Sequence, residues 1–203
     1  MNKFPFILFV LVYLTIFTVC AVDPYDRAVW WAENLPMWLL FGSILALHRI
    51  HYFSALSYFF MSWLLVMHTI GGHFTFSRVP FDLVTELFSF ERNHYDRIAH
   101  FTVGFYAFPI AELLLKKRWV AHSTILYLFS IFAIFTVAGA YEIVEWVFAI
   151  FAQPDAGLAV LGSQGDQWDA QKDMLADVLG ALAVLPLFAL IYRDEIRLLE
   201  DKN

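Results

Sequence analysis

The chain has 203 residues, of which 61% are hydrophobic, 19% aromatic and 16% charged, with a net charge of −6 and a mean hydropathy of +0.64. A soluble domain is about 45–50% apolar and about 25% charged, so disorder and an ordinary soluble core are excluded. The negative charge excludes a nucleic-acid surface and the single Cys a disulfide scaffold, leaving one integral membrane domain across residues 1–203.

A transmembrane helix needs about 20 mostly apolar residues. That window predicts spans at 4–22, 36–52, 54–70, 98–115, 119–140 and 174–192, an all-α polytopic bundle of about six spans. The segments are continuously apolar rather than alternating at period two, which argues against strands. The first span has a second reading: Lys3, the apolar run and Val19-Cys20-Ala21 also resemble a signal peptide with a small-residue cleavage site. Val19 is too large to precede a lipidated Cys, and Cys20 reads as a small apolar packing residue.

In the second span, Asn34 is the expected cap and Pro36 stands in the first turn. Arg49, between His48 and His51, marks a tight turn, and Gly71-Gly72 is expected to stop the third span. Residues 80–88 read as a short interfacial helix. Asn93 precedes the fourth span, and Lys116-Lys117-Arg118 closes it, where cations suit the helix dipole. Pro154, Gly157, Gly162 and Gly165 mark 153–173 as a bending loop, and the tail after Arg193 as a solvated end. Trp30, Trp31, Trp63 and Trp119 read as interface or lipid-facing aromatics, whereas Trp146 and Trp168 neighbour the acidic set and are candidates to wall a pocket.

Lys3, Arg49, Lys116, Lys117, Arg118, Arg193, Arg197 and Lys202 fall on one side. Arg27, Arg78, Arg92, Arg97 and Lys172 fall on the other, within longer acidic loops. The richer side is cytoplasmic by the positive-inside rule, which puts both termini inside.

An ionisable residue at a helix centre costs about 2.5–3.5 kcal/mol on insertion scales, so such residues turn toward an interior or a wet cavity. Here they gather at the outer ends: His68 and His73, Asp96 and His100, Glu142 and Glu145, then Asp166, Asp169, Asp173 and Asp177. At about 100° per residue, Asp96 and His100 share a face, as do Glu142 and Glu145. A helix beginning near Asp166 would hold its four Asp within an arc of about 80°, with Gly180 inside it. Three such faces turned inward give one pocket of His100, Glu142, Glu145, Asp173 and Asp177.

Tyr95-Asp96-Arg97-Ile98-Ala99-His100-Phe101 resembles the Asp-basic-x-x-His-Phe signature of VanZ-like membrane proteins. Glu142, after Gly139-Ala140-Tyr141, resembles that family's Glu-bearing helix, and Asp173-Met-Leu-Ala-Asp177-Val-Leu-Gly180 is similar to its closing motif. Asp177 stands where that family has Asn, and Glu145 where Gln is common. A closer likeness is to the YjdF-like group of bacterial inner-membrane proteins, through His68-Thr-Ile-Gly71-Gly72-His73, Arg92-Asn-His-Tyr-Asp-Arg97 and Gly165-Asp-Gln-Trp-Asp169. The resemblance implies a multi-pass bacterial inner-membrane protein and brings no established activity.

Three chemistries fit the residues. Glu142, Glu145, Asp173, Asp177 and His100 form a donor set for a divalent metal cation, Mg²⁺, Mn²⁺, Ca²⁺ or Zn²⁺ by the number of oxygens that converge. A metal-bound water would then attack a lipid-linked ester or phosphate. Alternatively His100 is a base oriented by Asp96, with Glu142 as acid, and no metal. The third reading is structural: Arg92, Arg97 and Lys172 pair with the carboxylates and fix the helix ends. The functional expectation is an enzyme or binding protein for a lipid or lipid-linked head group; the alternatives are an accessory protein or, less favoured by the apolar inner halves of the spans, an ion- or proton-coupled transporter. No nucleotide, haem or iron–sulfur motif is present.

Overall fold

A computed structural model describes residues 3–200, so Lys202 lies outside the described residues. They form ten α-helices: α1 (Phe4–Cys20), α2 (Arg27–His48), α3 (Ala55–Phe74), α4 (Asp82–Leu87), α5 (Tyr95–Val103), α6 (Ala107–Lys117), α7 (Ser123–Phe151), α8 (Pro154–Leu161), α9 (Asp169–Ile191) and α10 (Arg193–Glu200). A 3₁₀ turn at Gly104–Tyr106 joins α5 to α6 into one path. Pro109 gives the turn its cause: it has no N–H for the Phe105 carbonyl, and its ring crowds that oxygen. Membrane helices tolerate such breaks where neighbours cover them.

The path alternates between two faces. Phe6 stacks on His48 with ring centroids 3.5 Å apart, so α1 begins where α2 ends. His73 Nδ1 lies 3.0 Å from the Cys20 carbonyl, so α1 ends where α3 ends. Lys116 pairs with Glu195 at 2.7 Å, and Lys117 donates to the Ile50 carbonyl, bringing the α2–α3 turn, the α6–α7 turn and α10 to the first face. The path therefore runs between the two faces six times, and the positive-inside rule predicts that this first face is cytoplasmic. Four of the crossings, 55–74, 95–117, 123–151 and 169–191, are long and apolar enough to span a membrane by length and composition. α1 has 17 apolar-rich residues, and α2 has 22 but carries Glu33 and Asn34, both buried.

Several boundaries move. α2 begins at Arg27, capped by Asp26, whose side chain accepts from the Ala28 and Val29 N–H groups. Asn34 is not the cap: it is fully buried inside the helix and donates to the Trp30 carbonyl, with Pro36 two residues further on. α3 runs through Gly71-Gly72 and stops at Thr75, where φ is 58°. α7 extends to Phe151, so Glu142 and Glu145 ride on an unbroken helix. The 153–173 segment contains α8, and the last span starts at Asp169, which leaves Asp166 in the loop ahead of it. Trp30 is buried rather than at an interface, while Trp146 and Trp168 are more than half exposed and are not among the residues lining the cavity beside His100. α4 forms inside 80–88 as expected, with Leu83 and Leu87 exposed.

α1 packs on α3 through Phe9, which meets Tyr58, and on α2 through Tyr13, which meets Phe41. A second apolar cluster around Phe60, Phe108, Leu126 and Phe188 joins α3, α6, α7 and α9. Lipid tails are as apolar as Leu, so such packing gains through close contact rather than water exclusion. The inner half also holds a buried carboxylate. Glu112, 2% exposed, accepts from the Ser54 N–H (2.8 Å), Ser54 Oγ and Ser57 Oγ (both 2.6 Å), and lies 3.2 Å from His51 Nε2. This carboxylate of α6 thus ties down the N-terminus of α3.

Candidate functional site

The site begins with a backbone contact. The end of α5 and the turn after it cross α9 at Gly104 and Gly180, so closely that a Cβ on Gly180 would overlap the Phe101 carbonyl and one on Gly104 the backbone around Asp177 and Ala181. Only glycine permits that approach. One turn outward, it sets the His100 ring, 7% exposed, against the fully buried Asp177, with Nδ1 3.2 Å from Asp177 Oδ1. A carboxylate on Nδ1 favours the tautomer that donates there and leaves the Nε2 lone pair free. Nε2 faces Asp96 Oδ1 at 3.8 Å, the spacing expected of i and i+4 on one helix. One ligand atom each from Asp96, His100 and Asp173 lies within 4.8 Å of the other two. Among the described residues, His100 is the only ion-pair partner of Asp96.

Arginines close the outer rim. Asp169 Oδ1 lies 2.7 Å from Arg92 Nη1 and 2.5 Å from Arg97 Nη2, and Arg97 Nε lies 2.9 Å from Asp173 Oδ1. Asp173 Oδ1 nevertheless accepts no well-aligned hydrogen bond, although the residue is 3% exposed. Arg92 also donates to the Ser163 carbonyl at 2.8 Å, which holds the end of α8 over the site. Outside the spans, a hydrogen bond from Lys172 and another from the Trp168 N–H keep Asp166 below the usual carboxylate range. Burial, reinforced by Arg92 and Arg97, pushes the His94 imidazole below its ordinary pKa.

A second polar group sits across the cavity. Glu33 Oε2 is 3.1 Å from His68 Nε2 and accepts from the Tyr141 hydroxyl at 3.1 Å, while that hydroxyl is 3.2 Å from His68 Nε2. Glu33 is 1% exposed and its Oε1 has no hydrogen-bond partner. Between the two groups lies a cavity of about 160 Å³ whose lining includes His68, Asp96, His100, Tyr141, Glu145 and Asp177.

Of the sequence candidates, the structure brings Asp96, His100 and Asp173 into one cluster and places Asp177 behind the imidazole. Glu145 is on the cavity wall. Glu142 is not among the lining residues, and its buried Oε1 has no hydrogen-bond partner. Arg97 pairs with Asp173 as the structural reading expects, whereas Asp96 and Glu142 have no arginine or lysine partner among the described residues. Glu33 and Tyr141 were missed. Starting α2 at Asp26 makes Glu33 an ionised-type side chain seven residues into a span, which is the signal that it faces inward.

Six crossings with buried carboxylates and imidazoles gathered at one end define a polytopic helical membrane protein. More particularly, the chain belongs to the family described as a predicted membrane protein (DUF2238), whose model matches residues 5–194. It is similar to the inner membrane protein YjdF of Escherichia coli (strain K12), 28% identical over 178 residues that make up 87% of this chain and 85% of that protein. No solved structure matches. The YjdF-like resemblance and a multi-pass inner-membrane location follow; the VanZ-like resemblance rests on its short motifs alone.

Proposed function

We propose that the outer pocket holds a divalent cation on Asp96, His100 and Asp173 and uses it to bind, or to act on, a lipid or lipid-linked head group. The observation that carries this reading is the ligand-spaced cluster of two carboxylates and one imidazole, with Asp177 engaging the imidazole's other nitrogen. Metal-binding histidines are oriented in this way, by a carboxylate on the ring nitrogen that does not bind. The role of Asp177 is then to position His100, and Glu145 lies on the wall that a bound head group would meet. A mixed oxygen and nitrogen set suits Mn²⁺, Zn²⁺ or Mg²⁺ better than a thiolate-seeking metal. The cation would polarise a phosphoryl or carbonyl oxygen of the head group.

Elemental analysis of protein purified without chelator tests it. One cation per chain is expected, and Asp173→Asn and His100→Ala each remove it while the helical content is retained. Unchanged metal content in both variants, or none in the wild type, overturns the reading. A purely structural role has its own support in the Arg92–Asp169–Arg97 pairs, which join α5 to α9 at the rim. In that reading the two variants lower thermal stability and no metal is found.

A further inference from the structure

The cavity has two ends of opposite character, and they are aligned on four helices. α3 runs outward from Leu64 to His68, and α7 from Val137 to Tyr141 and Glu145. α2 and α5 run inward, from Glu33 to Met37 and from His100 to Val103. At about 1.5 Å per residue, each helix changes from polar to apolar within about 4.5–6 Å of rise. Four independent sequences thus change at a common depth.

The cavity is also open sideways. α2 and α7 touch through the Tyr141–Glu33 hydrogen bond but have no extended packing; α8 packs against both at the outer end, and Arg92 holds the loop after it. Val137 lines the cavity yet is 58% exposed. Its α7 neighbours Phe135 and Val144 are exposed too, so the opening lies on the lipid-facing surface. The cavity's 160 Å³ is smaller than the roughly 300–1,000 Å³ of a pocket that engulfs a whole small molecule. It accommodates part of a molecule whose remainder lies outside.

We propose that the opening between α2 and α7 admits a membrane phospholipid from the bilayer, an acyl chain lying against Met37, Leu40, Leu64, Val103 and Val137 and the head group against the carboxylates and imidazoles above. This rests on the head-group reading and names its substrate class: a bilayer-resident glycerophospholipid reached laterally, rather than a water-soluble ligand from the outer face. Lipid is the only solvent at Val137's depth. A cation at Asp96, His100 and Asp173 supplies the charge complement for the lipid phosphate.

The test uses the full chain in vesicles of phosphatidylethanolamine and phosphatidylglycerol doped with a phospholipid carrying a mid-chain diazirine. Met37 and Leu64 are each 6% exposed, so surrounding lipid does not reach them except through the opening. After photolysis, peptide mass spectrometry is expected to show adducts on both. Val137→Trp narrows the opening and lowers those adducts several-fold, whereas Ile143→Trp, exposed and about 120° round the same helix, leaves them unchanged. Both variants end in the same bulky side chain, and their thermal transitions guard against misfolding. Absence of adducts at Met37 and Leu64 in the wild type, or undiminished adducts in Val137→Trp with a native transition, overturns the proposal. Metal content in the same samples separates the two readings: adducts without a cation keep the lateral route and reject the metal, and a cation without adducts does the reverse.

Discussion

At the residue scale, Glu112 and Asp177 show how the same chemistry serves different ends. Both are buried carboxylates in a membrane domain, and burying a charge is costly unless its oxygens are occupied. Both oxygens of Glu112 are occupied, by an N–H, two hydroxyls and an imidazole, which is a structural arrangement. Glu112→Ala leaves those donors facing apolar surroundings, at about 1–3 kcal/mol for each one unsatisfied. A clear fall in the detergent melting temperature is expected, with Glu112→Gln falling less because its carbonyl still accepts. Equal losses would show that the side chain only fills space. Asp177 instead engages a histidine whose other nitrogen faces the cavity, so its removal is expected to be felt in binding at the pocket.

At the element scale, the contact between α5 and α9 decides the pocket. Gly104 and Gly180 let two backbones touch, and His100 stands one turn from that contact. Gly180→Ala forces the helices apart, because its methyl meets a carbonyl oxygen on a neighbouring backbone rather than a movable side chain. Overpacking of this kind costs about 1–3 kcal/mol. The expected result is a lowered melting temperature together with weaker metal retention, while Gly42→Ala, which meets nothing within 4 Å, changes neither. The sequence pointed to Gly180 through its place in the acidic arc, and the structure gives that glycine a helix as its neighbour. Gly104 was not legible, because its need for space comes from a residue 76 positions later in the chain.

At the scale of the whole molecule, apolar segment length anticipated a helical membrane bundle, and the cation count predicts that its two ends are cytoplasmic. Cysteines introduced at Arg92 and Asp166 are expected to react with a membrane-impermeant maleimide added from the periplasmic side, and a cysteine at Arg118 only after permeabilisation. The opposite pattern would invert the bundle and place the pocket on the cytoplasmic face. Boundaries were less legible than spans. Glu33 and Asn34 lowered the apolarity of α2 and hid its first turns, although both side chains point into the protein rather than into lipid. The same cause hid the Glu33–His68–Tyr141 group, since hydropathy weighs a buried Glu and an exposed one alike.

The sequence by itself determined that this is a helical inner-membrane protein with most of the ionisable residues of its spans gathered toward one end. That followed because transfer to lipid is a local property of each segment and helical phase a local property of each face. Only the tertiary structure decided which of those faces meet: Asp96, His100 and Asp173 in one cluster, Asp177 behind the imidazole, and Glu33 and Tyr141 across the cavity. It also left α2 and α7 without extended packing, joined by the Tyr141–Glu33 hydrogen bond. These are long-range facts, set by which helices pack closely at Gly104 and Gly180 and which barely touch, and no periodicity within a single segment records them.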